Sequence, residues 1–256
     1  MTPLLQVEKV SKRFGGVEAL RSVSFEVQPA TIHSIIGPNG AGKTTMFNMI
    51  SALLPVSDGR IMFKGERPLH RAKPHQLAEW GIARTFQNLA VFAHASVVDN
   101  LLVGLHHVIR GNAVLDGLFW GRTRREEIRA RRRVEDIIEF LEIEHLRDEI
   151  TGNLSYGLQK RVELGRALAV GPELLLLDEM VSGMNSEETE DIARFVLDIK
   201  EQLGISVVMI EHDMSIVMDI SDRITVLNFG ECIADGPPGE IARDQRVIDA
   251  YLGTGD

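Results

Sequence analysis

The stretch TIHSIIGPNGAGKTTMFNMISALL, residues 31–54, decides the fold. TIHSII reads as a short apolar strand, and the residues after the loop take up helical spacing. Between them Gly37, Pro38, Asn39, Gly40, Ala41, Gly42, Lys43 and Thr44 match GxxxxGK[ST] without a gap, with Thr45 following. Glycines let the backbone wrap so that successive N–H groups point inward at phosphate oxygens, and the next helix adds its positive dipole end. In this pattern Lys43 reaches the β- and γ-phosphates, and the Thr44 hydroxyl ligates Mg²⁺. A plain glycine-rich turn before a helix would require neither the lysine nor the threonine.

Outward from the loop, LLQVEKV and SVSFEV read as strands before it and DGRIMFKGE as a strand after it. The segments from about Pro74 to Val170 read as mainly helical. Strand and helix then alternate through ELLLLDE, SEETEDIARFVLDIKEQL, ISVVMIEH, a short helix, and RITVLNFG with GECIADG as a final hairpin. This order predicts an α/β fold: a core with a mostly parallel sheet, an antiparallel β subdomain, and an inserted helical subdomain, an arrangement that with its phosphate loop resembles the RecA-like P-loop NTPase core. The expected organisation is one domain over 1–256. Residues 1–86 and 171–256 form the nucleotide-binding core with the β subdomain, and 87–170 form the helical part.

The formal charge of −9 argues against a nucleic-acid binder, because neutralising phosphates needs a basic face. The single cysteine, Cys232, excludes an internal disulfide and reads as a small hydrophobe in a strand. The opening MTPLLQVEKVSKRF has no sustained apolar stretch, and no run approaches the roughly 18 residues of a spanning helix. The expectation is a cytosolic protein that touches a membrane only through partners.

LLLLDE, residues 174–179, supplies the second half of a phosphate-transfer site. Four leucines make a strand buried on both faces, and Asp178 and Glu179 emerge at its end, where parallel sheets place ligands. Alternation along the strand points the two carboxylates in different directions, so Asp178 can hold the Mg²⁺ shell while Glu179 polarises the attacking water. Gln87, in ARTFQN, and His212, in VVMIEHDM, each follow a β-like run. A glutamine amide can contact Mg²⁺ or water and a histidine can bond a γ-phosphate, though each alone also reads as an ordinary loop residue. Phe14, in KRFGG, reads equally as a purine-stacking ring and as a core phenylalanine.

LSYGLQKR, residues 154–161, sets Ser155 and Gly157 at a second helix start that no phosphate loop accompanies. A phosphate loop, an isolated Gln, LSYG, LLLLDE and an isolated His, in this order, resemble the nucleotide-binding subunits of ATP-binding cassette (ABC) transporters over roughly Leu4 to Gly253. RFGGVEAL, GIARTFQNLAVF, LSYG, SGMN and VIDAYLG resemble the ATPase subunits of branched-chain amino acid importers, a group whose relatives also serve urea and short amides. The resemblance implies ATP with Mg²⁺ as cofactors and Phe14 as the adenine-stacking ring. It implies Gln87 as a sensor of Mg²⁺ and the membrane partner, and His212 as the switch histidine. By the same resemblance Ser155, Gly157 and Asn185 serve a nucleotide at the interface with a second cassette, identical or paralogous. Integral membrane permease subunits complete the transporter, a solute-binding protein serves it indirectly, and the chain sits peripherally on the cytoplasmic face of the membrane.

Two positions depart from that pattern. Leu158 stands where the group has Gln, and Met180 replaces the proline after the catalytic glutamate, removing a φ restraint. The arginine-rich run Arg122 to Arg133 reads as a solvated helix, with Glu127 and Arg131, Arg131 and Glu135, and Arg132 and Asp136 at helical spacing. LDGLFWG, with Phe119 and Trp120, reads equally as loop packing and as a partner contact. An exporter of lipid or polysaccharide would share every catalytic motif. A non-transport ATPase commonly carries two cassettes in one chain, and a non-hydrolysing sensor would lack Glu179 or His212.

Overall fold

The computed structural model describes residues 2–85, 90–105 and 122–252. Gln87, Phe119 and Trp120 lie outside the described residues. The chain opens with β1 (Leu5–Phe14), β2 (Val17–Val27), β3 (Ile32–Ile36), α1 (Lys43–Ile50), β4 (Asp58–Phe63), β5 (Arg67–Pro68) and α2 (Pro74–Glu79). The middle carries β6 (Ile82–Arg84), α3 (Val97–Val103), α4 (Arg122–Phe140) and α5 (Tyr156–Ala169). The rest is β7 (Leu174–Asp178), α6 (Ser186–Glu201), β8 (Ser206–Ile210), α7 (Met214–Ile220), β9 (Arg223–Asn228), β10 (Glu231–Gly236), α8 (Pro238–Ile241) and α9 (Gln245–Leu252). Contacts divide it into two units, Met1–Leu77 with Glu173–Asp256, and Ala78–Pro172.

The first unit holds an antiparallel sheet in the order β2-β1-β4-β5. Along β1 the buried side chains are Leu5 and Val7, then Val10 and Lys12, so the alternation changes phase once. Lys9, at φ 46, is the extra residue, and the register against β2 shifts between Val7 and Val10. Such a bulge lets the later side chains keep to the buried face, where an unbroken strand would have turned them outward. Lys12 satisfies its buried amine by donating to Pro55 O at 2.7 Å.

The second sheet of this unit runs β10-β9-β3-β8-β7. β3 pairs parallel with β8 and β9, β7 pairs parallel with β8, and β10 closes the edge antiparallel to β9. Every residue of β3, β7 and β8 is buried, which explains continuous apolar runs in place of alternation. The polar exceptions are satisfied inside the layer: Ser34 Oγ lies 2.6 Å from Ser221 Oγ, and His33 Nε2 lies 2.8 Å from Thr225 Oγ1. Because β3, β7 and β8 run the same way, their carboxyl ends deliver Gly37, Glu179 and Glu211 to one edge of the sheet.

In the second unit, α3, α4 and α5 gather around buried Leu101, Val134, Ile138, Leu141 and Val162. The helices meet at Gly165, where an added Cβ would lie 2.9 Å from Leu141 Cδ1 and 3.3 Å from Leu101 Cδ1. Ser96 caps α3 by accepting from Asp99 N. The buried amide of Asn100 joins the neighbouring loops, donating to Phe92 O at 3.0 Å and Thr151 Oγ1 at 2.9 Å. The arginine-rich run does form a helix, α4, and Arg147 of a following turn also holds Glu135, donating to Oε1 at 2.7 and 2.9 Å and to Oε2 at 3.1 Å. A planar guanidinium takes both carboxylate oxygens, and the charge of Arg131, one helical turn away, acts on Glu135 as well. β6 also interrupts the stretch that reads as helical from Pro74 onward. Among the described residues no helix is long and apolar enough to cross a membrane.

Candidate functional site

The phosphate loop leaves β3 at Gly37 and enters α1 at Lys43. Gly37 is a glycine because β9 runs against it: an added Cβ would lie 2.0 Å from Leu227 O. Gly40 and Gly42 take φ of 79 and 101, values open to glycine at little cost. A Cβ on Gly40 would meet nothing within 4 Å, so this side of the loop faces open space. The N-cap of α1 is Gly42, which has no side chain to offer its first N–H groups. Lys43 folds across the loop and donates to Gly37 O at 2.6 Å and Pro38 O at 3.0 Å. Burial lowers its pKa, and the charge of Glu179 opposes that shift, so the ammonium and this carboxylate share one field. Thr44 is exposed and Thr45 half-buried on the first turn of α1, while Asn39 is exposed in the loop. Ala41 anchors the loop from behind by accepting from Gly230 N at 3.1 Å.

At the end of β7, Asp178 is buried and Glu179 half-buried. Glu179 has φ 51, uncommon for a residue with a side chain, and donates its own N–H to Ile210 O at 2.9 Å. Its Oε1 accepts from His212 Nε2 at 2.8 Å. The two motif residues, 33 apart in sequence, are thus brought into direct contact. Asn185 is exposed and caps α6 in a reciprocal box, accepting from Glu188 N at 2.9 Å while Glu188 Oε2 accepts from Asn185 N at 3.3 Å. Phe14 is 46% exposed, which removes the core reading, and the Lys12 ammonium stands 5.0 Å from its ring centroid.

In the second unit, Ser155 caps α5 and accepts from Leu158 N at 3.3 Å. Ser155 and Tyr156 are exposed, whereas Gly157 is buried. Gln159 closes the same turn by donating to Leu154 O at 2.8 Å. Leu158 therefore serves the cap with its backbone, whatever its side chain is.

Two residues near the site escaped the reading of the motifs. Glu211 is 3% exposed, and its Oε1 accepts from Val181 N at 3.2 Å. Burial pushes its carboxyl up to about 7, and Glu179 adds to the rise; the backbone N–H groups of Val181, Met180 and His212 oppose it. The signal available was an acidic residue directly after a fully apolar strand, beside His212. Tyr251, on α9, meets the backbone of Gly37 with its phenol, whose pKa burial raises. Nothing in VIDAYLG distinguishes that tyrosine from a surface residue.

The residues present fit a nucleoside triphosphate: a glycine-bearing loop with an open face at Gly40, a lysine folded across it, and carboxylates at the neighbouring strand ends. Thr44 and Asp178 could hold a divalent cation. Among the described residues no three or more His, Cys, Asp or Glu side chains gather as a metal cluster. This architecture defines a phosphate-loop nucleoside triphosphatase.

The comparisons narrow the class. The family model described as ABC transporter matches residues 20–182, and a model described as branched-chain amino acid ATP-binding cassette transporter matches residues 231–256. The chain is 38% identical to the high-affinity branched-chain amino acid transport ATP-binding protein BraF of Pseudomonas aeruginosa, over 98% of each chain. It is 37% identical to the corresponding protein LivG of Escherichia coli, again over 98% of each chain. A crystal structure of the ADP conformation of an ATP-binding cassette from an ABC transporter superposes with a TM-score of 0.85 at 34% identity, covering 99% of this chain and 100% of that one. The chain belongs to the ABC transporter family, as one of its ATP-binding ATPase subunits.

Proposed function

We propose that this chain drives an importer for branched-chain amino acids, or for the chemically related amino acids, urea and amides. The observation that carries this reading is similarity over nearly the full length to two branched-chain amino acid transport proteins, joined by the match of the C-terminal segment 231–256. Nothing in the comparisons favours a lipid or polysaccharide exporter. In this reading the chain pairs with a second cassette and docks on permease subunits at the cytoplasmic face of the membrane, with a solute-binding protein delivering the cargo.

The reading gives each site residue a role. The N–H groups of the loop from Asn39 to Thr45, other than that of Ala41, and the Lys43 ammonium bind the phosphates, and Phe14 offers its exposed face to the adenine. Thr44 and Asp178 would hold Mg²⁺, with Gln87 as a third ligand; the ion supplies charge neutralisation on the phosphates when bound. Glu179 orients the attacking water and draws its proton, while the His212 N–H fixes one carboxylate oxygen and leaves the other for that water. Ser155, Gly157 and Asn185 serve the nucleotide of the partner cassette. Binding energy at the shared interface closes the pair, and hydrolysis reopens it.

The test is reconstitution of the full complex in vesicles loaded with ATP, followed by uptake of labelled leucine, urea and a short amide. Glu179→Gln should lower ATP turnover and uptake together, by roughly 10²- to 10⁴-fold, with ATP binding kept. ATP-dependent uptake of none of these compounds would overturn the importer reading. Unchanged turnover in Glu179→Gln would overturn the catalytic assignment.

A further inference from the structure

Glu211 is a buried carboxylate that nucleotide binding leaves unused. It follows β8 directly, is 3% exposed, and lies one residue before His212. Its Oε1 accepts from Val181 N at 3.2 Å, and the N–H groups of Met180 and His212 turn to the same carboxylate. Two donors thus belong to the residues directly after Glu179, and the third belongs to the histidine bonded to Glu179. Removing a carboxylate from water is costly, and oriented N–H groups are what makes it tolerable here. The Met180 donor exists only because this chain lacks a proline at that position; proline has no N–H to offer. With its oxygens turned to backbone, Glu211 is not placed to activate water itself.

Glu179 also needs such support. Its φ of 51 belongs to a conformation that persists in a non-glycine residue only when the surroundings over-determine it. One restraint is its N–H on Ile210 O. The other is the anchoring of the next two residues.

We infer that Glu211 is a positioning residue for ATP hydrolysis: by clamping the backbone of Met180, Val181 and His212 it sets how the Glu179 carboxylate and the His212 ring meet, and where the 181–185 turn begins. The inference rests on Glu179 being the carboxylate that acts on water. Met180 then belongs to the clamp and is no mere loss of a restraint.

The experiment measures kcat and KM for ATP, together with thermal unfolding, on the full chain and its variants. Glu211→Gln keeps the shape but aims an NH₂ group at N–H donors; kcat should fall roughly 10- to 100-fold, the scale of a small misplacement of reacting groups, with KM within about twofold. Glu211→Asp keeps the charge on a shorter arm and should restore part of kcat. Met180→Pro deletes one donor, so Glu211→Gln should cost clearly less kcat in that background than in the parent, the mark of coupled residues. Wild-type kcat in Glu211→Gln, or a loss equal in both backgrounds, overturns the clamp. So does a kcat loss that follows the fraction of folded protein alone. If Glu211→Gln does not fold, the clamp stands or falls on Glu211→Asp: lowered kcat at unchanged KM supports it, and wild-type kcat overturns it. Normal turnover in Glu179→Gln would instead overturn the reading of Glu179, whereas a dead Glu179→Gln beside a normal Glu211→Gln sinks Glu211 alone.

Discussion

His33 shows how much a single buried side chain can set. It sits in β3 at 1% exposure, with Nε2 against Thr225 Oγ1, and Thr225 in turn donates to Asp235 Oδ1 at 3.0 Å. Burial lowers its pKa to about 4; Asp235 opposes the shift and Arg223, paired with Asp235 at 2.8 Å, adds to it. The folded protein therefore holds His33 neutral where the unfolded chain takes a proton. Its contribution to stability is complete above about pH 6.5 and is lost as pH falls from there toward 4, by up to roughly 3 kcal/mol. His33→Gln should unfold at lower urea at pH 7.5, having lost its fitted partner, yet lose less further stability on going to pH 5 than the parent does. Equal losses in both proteins would show that His33 does not titrate in this window.

Among the elements, α6 is the one whose start does two things. Asn185 and Glu188 close a reciprocal cap there, which satisfies helix amides that would otherwise be open. The same Asn185 is the residue proposed to face the partner's nucleotide. Asn185→Ala should lower stability by about 1 kcal/mol, and thermal unfolding by about 2–4 °C. Asn185→Asp keeps a capping oxygen beside the helix dipole and should unfold near the parent temperature. If Asn185→Ala unfolds like the parent, the cap contributes nothing and the residue's role lies at the interface alone. β7 and β8 make the complementary point: their apolar runs carry no chemistry, but their parallel register places Asp178 beside Ile210 and so brings Glu179 to the level of Glu211 and His212.

For the whole molecule, the decisive feature is that Ser155 and the phosphate loop lie in different units of the chain. If Ser155 serves a partner's nucleotide, Ser155→Arg should leave ATP binding to the isolated chain within about twofold while abolishing the ATP-dependent dimer of a Glu179→Gln background on size exclusion. Ser155→Ala, which removes the hydroxyl with its α5 cap but adds no bulk, separates the loss of the hydroxyl from an obstructed interface. Weakened binding of ATP to the monomeric Ser155→Arg chain would mean that Ser155 contacts its own nucleotide.

The amino-acid order alone was enough for the phosphate loop, the strand that delivers Asp178 and Glu179, the capped start at Ser155 and the order of the strands and helices other than β6. Each of these is written in a contiguous stretch whose glycines, apolar runs and capping residues act on their immediate neighbours. Pairings across the chain needed the fold. His212 on Glu179, Glu211 on the backbone of Met180 and Val181, His33 on Thr225, and Arg147 on Glu135 join residues that strand register and helix packing bring together. The bulge at Lys9 and the left-handed backbone of Glu179 are of the same kind, since no local preference favours a lysine or a glutamate there. Local propensity selects the parts, and the burial of the parallel sheet decides which of them meet.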